Sequence, residues 1–528
     1  MADFAGSPMQ RDQLVLFTEK LDQIIPSDHA VRLLDEILGR IDWKPWEQLY
    51  KLGRGQPPIH PRILAGVILY GLLKRIRSSR ALEEAIEVRS DFRWLVEGRT
   101  IDHSTISKFR LKNAKTLKHL FVQVVLVARE MGHLPLASLG FDGTRMRADN
   151  RRTGTRTPAE LRKAKADLSA KFAELEAKTA RADAEEDQQL GQASEHKLSE
   201  ELADVEHRRK QVDAALAKIE ELEQAGQTVP QRIPITDPES RLTPNKEGGF
   251  APNYTPLATV DIDSGLIVDA GVIAHTDEDK HILDSVAAVQ KAFGLESPPP
   301  ELLADGLMST GDNLAKCEAL GIDLYSPIQL GSSGENPAVR EDPSVPVAEA
   351  DIAKLPTTTT KLKDGTTSTK FNKNAFVYDA QANCYWCPAG KCLPYTNQTS
   401  QLDGGRQRIR YRYYASKSDC SSCPLLEKCL KANVKRRQIG HEQHESLRIA
   451  HSAKMSSEAG KAKYARRRHP GERPFATIKH HFGARRFLVR GLAKVRQEWL
   501  WLSTAFNLTR LMSLIQSQAD PPTCLSAS

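Results

Sequence analysis

Two aspartates in this 528-residue chain each close a short apolar run and are followed at once by glycine. They are Asp142, in Phe141-Asp142-Gly143-Thr144, and Asp305, in Ala304-Asp305-Gly306. Carboxylates at strand ends of an α/β sheet converge on the crevice where such folds hold ligands. Oxygen donors of this kind suit hard cations such as Mg2+ or Mn2+. A third acid, Glu472, stands alone among twelve Lys/Arg and three histidines between Lys461 and Arg496. It reads either as local charge balance or as a further metal ligand set among groups that grip phosphates. The spacings Cys384-x2-Cys387 and Cys420-x2-Cys423 supply four thiolates, the makings of a tetrahedral zinc site. Cys392 and Cys429 are extra, so either could replace one of the four, and a reduced, metal-free insert is the alternative. The lone Cys317 and Cys524 carry no signal.

These residues need elements to position them. To about residue 130 the pattern is all helix: Pro61 opens an apolar run, and Ser79 caps a second helix through Leu82, Ala85 and Ile86. Asp102 is an N-cap candidate for a short helix that carries Ser107, Lys108 and Arg110 outward, a helix-turn-helix-like DNA reader. Residues 138–148 read as strand, tight Asp-Gly turn, then strand. From Pro158 to about Gly226 the composition turns Ala/Glu/Lys/Leu/Arg-rich. Leu161, Leu168, Phe172 and Leu175 form one apolar stripe there. A break at Gln189-Leu190-Gly191 predicts two antiparallel helices. Tyr254 to Val260 and Leu266 to Val272 flank a hairpin signal, and residues 298–306 read as a buried strand ending on Asp305. Residues 332–368, rich in Pro, Ser and Thr, read as a linker. His441, His444 and His451 lie in a polar stretch and read as solvated. A final amphipathic helix, about Leu492 to Leu514, carries Trp499 and Trp501 as packing residues, and the tail beyond Gln516 reads as disordered.

Composition sets the partner class. Lys+Arg 75 against Asp+Glu 67 gives a net charge of +8, and 40% hydrophobic content excludes a wholly disordered chain. The excess is concentrated: thirteen Lys/Arg face six Asp/Glu between Lys51 and Asn113, and the second concentration is Lys461 to Arg496. Clustering of this kind is the footprint of a polyanion. The apolar run Ile63 to Leu73 is too short to span a bilayer, and Met1–Gln10 has no signal-peptide pattern. Eight cysteines are too few for a disulfide scaffold. The expectation is a cytoplasmic protein, nucleoid-associated when bound to DNA, with no membrane.

Taken in order, these residues resemble a known family. The chain looks like a bacterial insertion-sequence transposase of the DDE type, and more narrowly like the subgroup called insertion sequence eleven-eighty-two, over nearly its whole length. The N-terminal likeness lies in Gly53-Arg54-Gly55-Gln56-Pro57-Pro58, Leu69-Tyr70-Gly71, Ser78-Ser79-Arg80, Phe92-Arg93-Trp94-Leu95 and Asp102 through Arg110. The family's catalytic aspartates fall on Asp142 and Asp305. Its Tyr-Arg-Glu-Lys signature falls on Tyr464, Arg467, Glu472 and Lys479 and continues into Phe482-Gly483, Arg485-Arg486-Phe487, Arg490-Gly491 and Asn507-Leu508. Four residues, not the commonest three, separate Arg467 from Glu472, so the Arg position falls on Arg467 or on Arg468. Pro470, Gly471 and Pro474 forbid one unbroken helix from Tyr464 to Lys479 and place Glu472 at a helix N-terminus.

The resemblance implies an α/β ribonuclease H-like catalytic core. It also implies an all-α N-terminal DNA-binding domain, a helical-hairpin (coiled-coil) insertion and a cysteine-rich β insertion. The expected division is 1–130 helical DNA-binding domain, 136–156 and 228–331 first part of the core, and 157–227 hairpin. After these come 332–370 linker, 371–435 cysteine-rich insertion, 440–516 C-terminal part of the core and 517–528 tail. Asp142, Asp305 and Glu472 would bind Mg2+ (or Mn2+) and carry cutting and joining of DNA. Tyr464, Arg467 and Lys479, with Ser107, Lys108 and Arg110, would hold double-stranded DNA, both transposon terminal inverted repeats and target. Cys384, Cys387, Cys420 and Cys423 would hold a possible Zn2+. A homodimer or higher synaptic assembly is implied. The alternative is a non-catalytic, zinc-stabilised DNA-binding regulator.

Overall fold

The computed structural model describes residues 20–50, 57–150, 154–190, 200–245, 248–328, 336–361, 366–403, 406–431 and 433–519. The motif stretch Gly53 to Gln56 lies outside them. At the centre is a mixed sheet whose five core strands are β1 (Ser138–Gly143), β2 (Phe250–Asp261), β3 (Ile267–Ile273), β4 (Glu301–Leu303) and β5 (Asp323–Tyr325). Their spatial order is β3-β2-β1-β4-β5. β3, β2 and β1 run antiparallel, whereas β1, β4 and β5 run parallel. That order and those directions fit a ribonuclease H-like layout. Both parallel junctions are reached through helices, Ile282–Phe293 before β4 and Gly311–Ala319 before β5, as parallel pairing requires.

The 138–148 stretch departs from the hairpin expected of it. Asp142 pairs across from Ala258 and Gly143 from Leu257, and the next strand, Met146–Arg147, pairs with Tyr254 and Asn253 of the same β2. The chain therefore continues along one neighbour past Asp142-Gly143 instead of turning back. Backbone bonds from Thr144 to Pro256 (2.9 Å) and from Ala148 to Pro252 (3.0 Å) keep it there. The apolar pattern fixed the strands correctly, but an Asp-Gly pair is also what a close approach at a strand end uses.

The N-terminal helices are not a separate lobe. Ala30–Gly39, Pro61–Leu73, Ser79–Val88, His103–Lys112 and Ala114–Glu130 share one apolar core with the sheet and with the last helix, Leu492–Ala519. Phe109 stacks on Trp46 with ring centroids 4.9 Å apart, and both rings meet Trp501. Trp499 and Trp501 are buried packing residues. Beside them Arg77 pairs with Glu498 at 2.6 Å, both side chains 11% exposed. Glu498 also accepts the backbone N–H groups of Leu488 and Val489.

Two units interrupt the core between its strands. The helices Pro158–Leu190 and Glu200–Gln224 pack together between β1 and β2. Leu161 lies in one cluster with Val212, Ala215 and Ile219, Lys165 pairs with Asp213, and Arg209 covers the Phe172 ring, an antiparallel register. After β5 comes an antiparallel five-stranded sheet, Val377–Asp379, Cys384–Trp386, Cys392–Asp403, Arg406–Tyr414 and Gln438–Glu442. The stretch expected as a linker belongs to this unit. Ala338, Val347 and Leu355 pack into its core, and Thr357–Lys361 pairs with Thr367–Phe371. Sparse apolar residues in a Pro/Ser/Thr-rich stretch were enough to anchor it. His441 and His451, expected in solvent, are both buried. His451 contacts the Ser326 carbonyl oxygen at 2.7 Å. His441 sits 2.8 Å from the Tyr385 hydroxyl, among the rings of Tyr378, Tyr411 and Tyr413. The final helix continues to Ala519, past the expected tail boundary.

Two predictions follow from this packing. Glu498→Ala leaves the buried Arg77 guanidinium unpaired and two N–H groups without their acceptor, so it should cost about 3 kcal/mol, read as a lower denaturation midpoint at unchanged slope. Burial pushes the His441 imidazole down to about 4. The native state therefore resists a proton that the unfolded chain accepts. Stability should be intact above pH ~6.5 and fall as pH drops toward 4, by up to about 3 kcal/mol. His441→Gln should flatten that acid limb in thermal unfolding; an unchanged limb would locate the titration elsewhere.

Candidate active site

Asp142 and Asp305 leave the same end of adjacent parallel strands, which is why residues 163 positions apart in sequence become neighbours. Asp142 accepts the Gly143 backbone N–H at 2.9 Å, and Asp305 accepts that of Leu307 at 2.9 Å. The Ser326 hydroxyl, just past β5, donates to the Asp305 carbonyl oxygen and ties the end of β4 in place. Arg467 reaches over from the turn before helix Arg468–Ala476 and pairs with Asp142 at 3.1 Å, the two side chains 11% and 16% exposed. The Arg467 stem passes close to Gly471, 3.2 Å from where a Cβ there would sit, so a side chain at 471 would crowd it.

A third acid shares this corner, and it was not expected. Glu278 opens the short turn Glu278–Lys280 between β3 and helix Ile282–Phe293. Its side chain is buried, with residue exposure of 9%, and lies directly against the Cα of Gly143; any Cβ at 143 would collide with the carboxylate. Burial pushes its carboxyl up to about 7, and the charges of Asp305 and Asp142 push the same way, with Arg145 opposing. No described residue hydrogen-bonds or ion-pairs with it. In the sequence it stands inside Asp277-Glu278-Asp279-Lys280, which reads as a solvated loop. Nothing in that run marks which of its acids turns inward.

Glu472 takes a different position. The helix it belongs to packs against β1 and β2 through Gly471, Pro474 and Phe475, while Glu472 itself is exposed. It lies in the second turn, not at the N-terminus. Pro470 fits in the first turn, where its missing N–H would be unpaired anyway, and the chain breaks earlier, at Arg466 and Arg467. Lys479, in the wide turn Thr477–His481, donates to the Thr144 hydroxyl at 2.6 Å and to the Arg145 carbonyl at 3.0 Å, two residues beyond Asp142. Tyr464 is half-buried on helix Glu458–Ala465. Two other acids of the C-terminal region are committed elsewhere: Glu498 to Arg77, and exposed Glu458 to Lys461.

Of the three expected N-terminal DNA contacts, the structure keeps two at the surface. Asp102 caps helix His103–Lys112 by accepting the Ser104 N–H at 2.7 Å. Ser107 and Lys108 line an open groove of about 440 Å³ with Ser78, Ser79, Arg80 and Ser104. Arg110 does not reach it. Its guanidinium is buried under the last helix, donates to the Arg77 carbonyl at 2.7 Å, and is pushed down by burial. Residue 110 follows Ser107 by three positions and stays close to its side of the helix; what covers its guanidinium is the last helix, through Trp501 and Glu498, remote in sequence.

The cysteines sort differently from their spacings. Cys384 is held up to about 12 by burial and by a hydrogen bond with Cys392. Cys387, Cys420, Cys423 and Cys429 lie instead within electrostatic reach of one another, though no three of their sulfurs all come within 4.8 Å of one another. Cys387 Sγ accepts the Lys391 N–H at 3.3 Å within a tight turn whose Gly390 has φ +70° and no room for a Cβ. All of these thiols are free. Among the described residues, the only His/Cys/Asp/Glu trio with ligand atoms all within 4.8 Å of one another is Glu83, Asp102 and His103. Its closeness is accounted for by the His103–Glu83 and His103–Asp102 pairs.

A mixed sheet of this order fits the general layout of a ribonuclease H-like α/β protein. Two family models then match the chain: Transposase DDE domain over residues 386–512, and Transposase domain (DUF772) over residues 19–112. Together they support a DDE-type DNA transposase, a class that depends on divalent metal. Neither match spans Asp142, Glu278 or Asp305. No curated protein matches the chain. No helix among the described residues is long and apolar enough to cross a membrane.

Proposed function

We propose that this chain cuts transposon ends and joins the exposed 3′-OH to target DNA, with Asp142 and Asp305 as its central catalytic carboxylates. The observation that carries the reading is their meeting at one end of adjacent parallel strands, under the basic segment 461–496. The donor set fits a hard divalent cation: carboxylate oxygens, partly withdrawn from water, with like charges packed together. Such metal, as Mg2+ or Mn2+, would activate the attacking oxygen and stabilise charge on the leaving one. Glu472, exposed on the helix packed against β1, is the further ligand we assign from the DNA side. Arg467 balances Asp142 in the present arrangement. With Arg468, Tyr464 and Lys479 it is placed to hold phosphates near the reacting bond. Ser107, Lys108 and Arg80 form a second phosphate-holding surface on the N-terminal helices. Double-stranded DNA is the partner, in a dimeric or higher assembly that brings two ends together. A DNA-binding regulator without catalysis leaves the buried acids at the sheet end with no purpose.

In the cysteine-rich unit, Cys387, Cys420, Cys423 and Cys429 are the ligands we assign to a structural zinc, with Cys384 and Cys392 as a packed pair outside it.

Asp142→Ala or Asp305→Ala should abolish Mg2+-dependent cleavage of DNA carrying the inverted repeats that flank the gene. Gel-shift affinity should stay within a few-fold, because the carboxylates act on charge developing in the transition state. Normal cutting by both variants would leave the regulator reading in its place. Elemental analysis of the purified protein should give about one zinc per chain, lost in Cys387→Ser and Cys429→Ser but retained in Cys392→Ser. Loss of metal in Cys384→Ser with retention in Cys429→Ser would return the ligand set to the sequence spacings.

A further inference from the structure

Resting on that reading of the sheet end, we propose that Glu278 is itself a ligand of the divalent metal, closing the site with Asp142 and Asp305 from its buried side. Three independent features of the chain point there. The residue is nine-tenths buried, yet no described group hydrogen-bonds or ion-pairs with its carboxyl. A buried carboxylate without a partner is strongly unfavourable, so such groups are paired or bind metal. The carboxyl also lies within electrostatic reach of both aspartates. Of the nearby cations, Arg467 is engaged with Asp142, and Arg145 only partly opposes the repulsion. Finally, the backbone leaves room for it: a Cβ at residue 143 would fall on the carboxylate and displace it from β1.

The turn that presents Glu278 is firmly held. Its N–H donates to the Thr276 carbonyl and its carbonyl accepts from His281, each at 3.0 Å. Asn313 of the helix leading to β5 donates to the neighbouring Asp279 carbonyl at 2.9 Å, and Lys280 pairs with Asp277 at 2.7 Å. A turn tied down in this way presents its carboxyl from a fixed backbone, as a preorganised metal site requires. Asp142, Asp305 and Glu278 thus come from β1, β4 and the loop after β3, all inside the first half of the core and independent of where the Glu472 helix sits.

The test is Mn2+ binding to the full-length protein, followed by electron paramagnetic resonance and calorimetry with Mn2+ as the only added ligand. Glu278→Gln keeps the shape and removes the charge, and should weaken Mn2+ binding by about tenfold or more. Its melting temperature in chelator should be no lower than that of the wild type. Asp142→Asn should weaken Mn2+ binding comparably. Gly143→Ala, which displaces the Glu278 carboxylate without touching a ligand, should weaken it too. Should Glu278→Gln bind Mn2+ like the wild type while Asp142→Asn does not, Glu278 is no ligand and the proposed function stands. Should Asp142→Asn and Asp305→Asn also bind like the wild type, or the wild type show no saturable site, the sheet-end reading falls with it.

Discussion

Everything at this sheet end depends on β1 being flanked on both sides. It is the strand at which the sheet changes from antiparallel to parallel, so its far end is bounded by β2 on one side and by the crossover into β4 on the other. Such a junction gives a crevice that neither a purely antiparallel nor an open edge strand provides. Asp142 stands on its lip. Because Gly143 follows, the loop after β3 closes over the crevice and carries Glu278 into contact with the strand. The result is a concentration of negative charge at a place partly shielded from water, where Coulomb repulsion is felt more strongly than at the surface.

The opposing charge comes from a segment far along the chain. Arg467, Lys479 and their neighbours reach the crevice because helix Arg468–Ala476 lies on β1 and β2, with the Arg467 stem passing close to Gly471. Arg467 on Asp142 is a charge pair in a half-dry setting, and pairs of that kind hold geometry more than they add stability. The basic segment thus bears directly on the acids of the sheet end. Together with Arg145, it opposes the negative charge at this corner.

Much of this was legible beforehand. The alternating runs around Tyr254 and Leu266 gave β2 and β3, the apolar run before Asp305 gave β4, and Asp102 marked its helix start. Glu278 was not legible, since burial of one acid within Asp277-Glu278-Asp279 depends on the distant Gly143. Arg110 was misread for a related reason. Its exposure is decided by the last helix, nearly four hundred residues on. Cysteine spacing showed that thiols would cluster, but pairing across the five-stranded sheet, not proximity in sequence, sets Cys384 against Cys392. Local signals carried the elements, and long-range contacts decided which side chains met.

The shared core of the first and last helices has a consequence for biosynthesis. Trp501, which covers Trp46, Phe109 and the apolar face of Pro61–Leu73, is made roughly four hundred residues after them. A nascent chain emerging from the ribosome would present that uncovered surface throughout elongation, a condition that favours chaperone capture or aggregation. It would also hold its N-terminal helices on an unfinished scaffold. Maturation would then proceed in one late step, with the C-terminal helix acting as the keystone that admits the whole molecule to its native state.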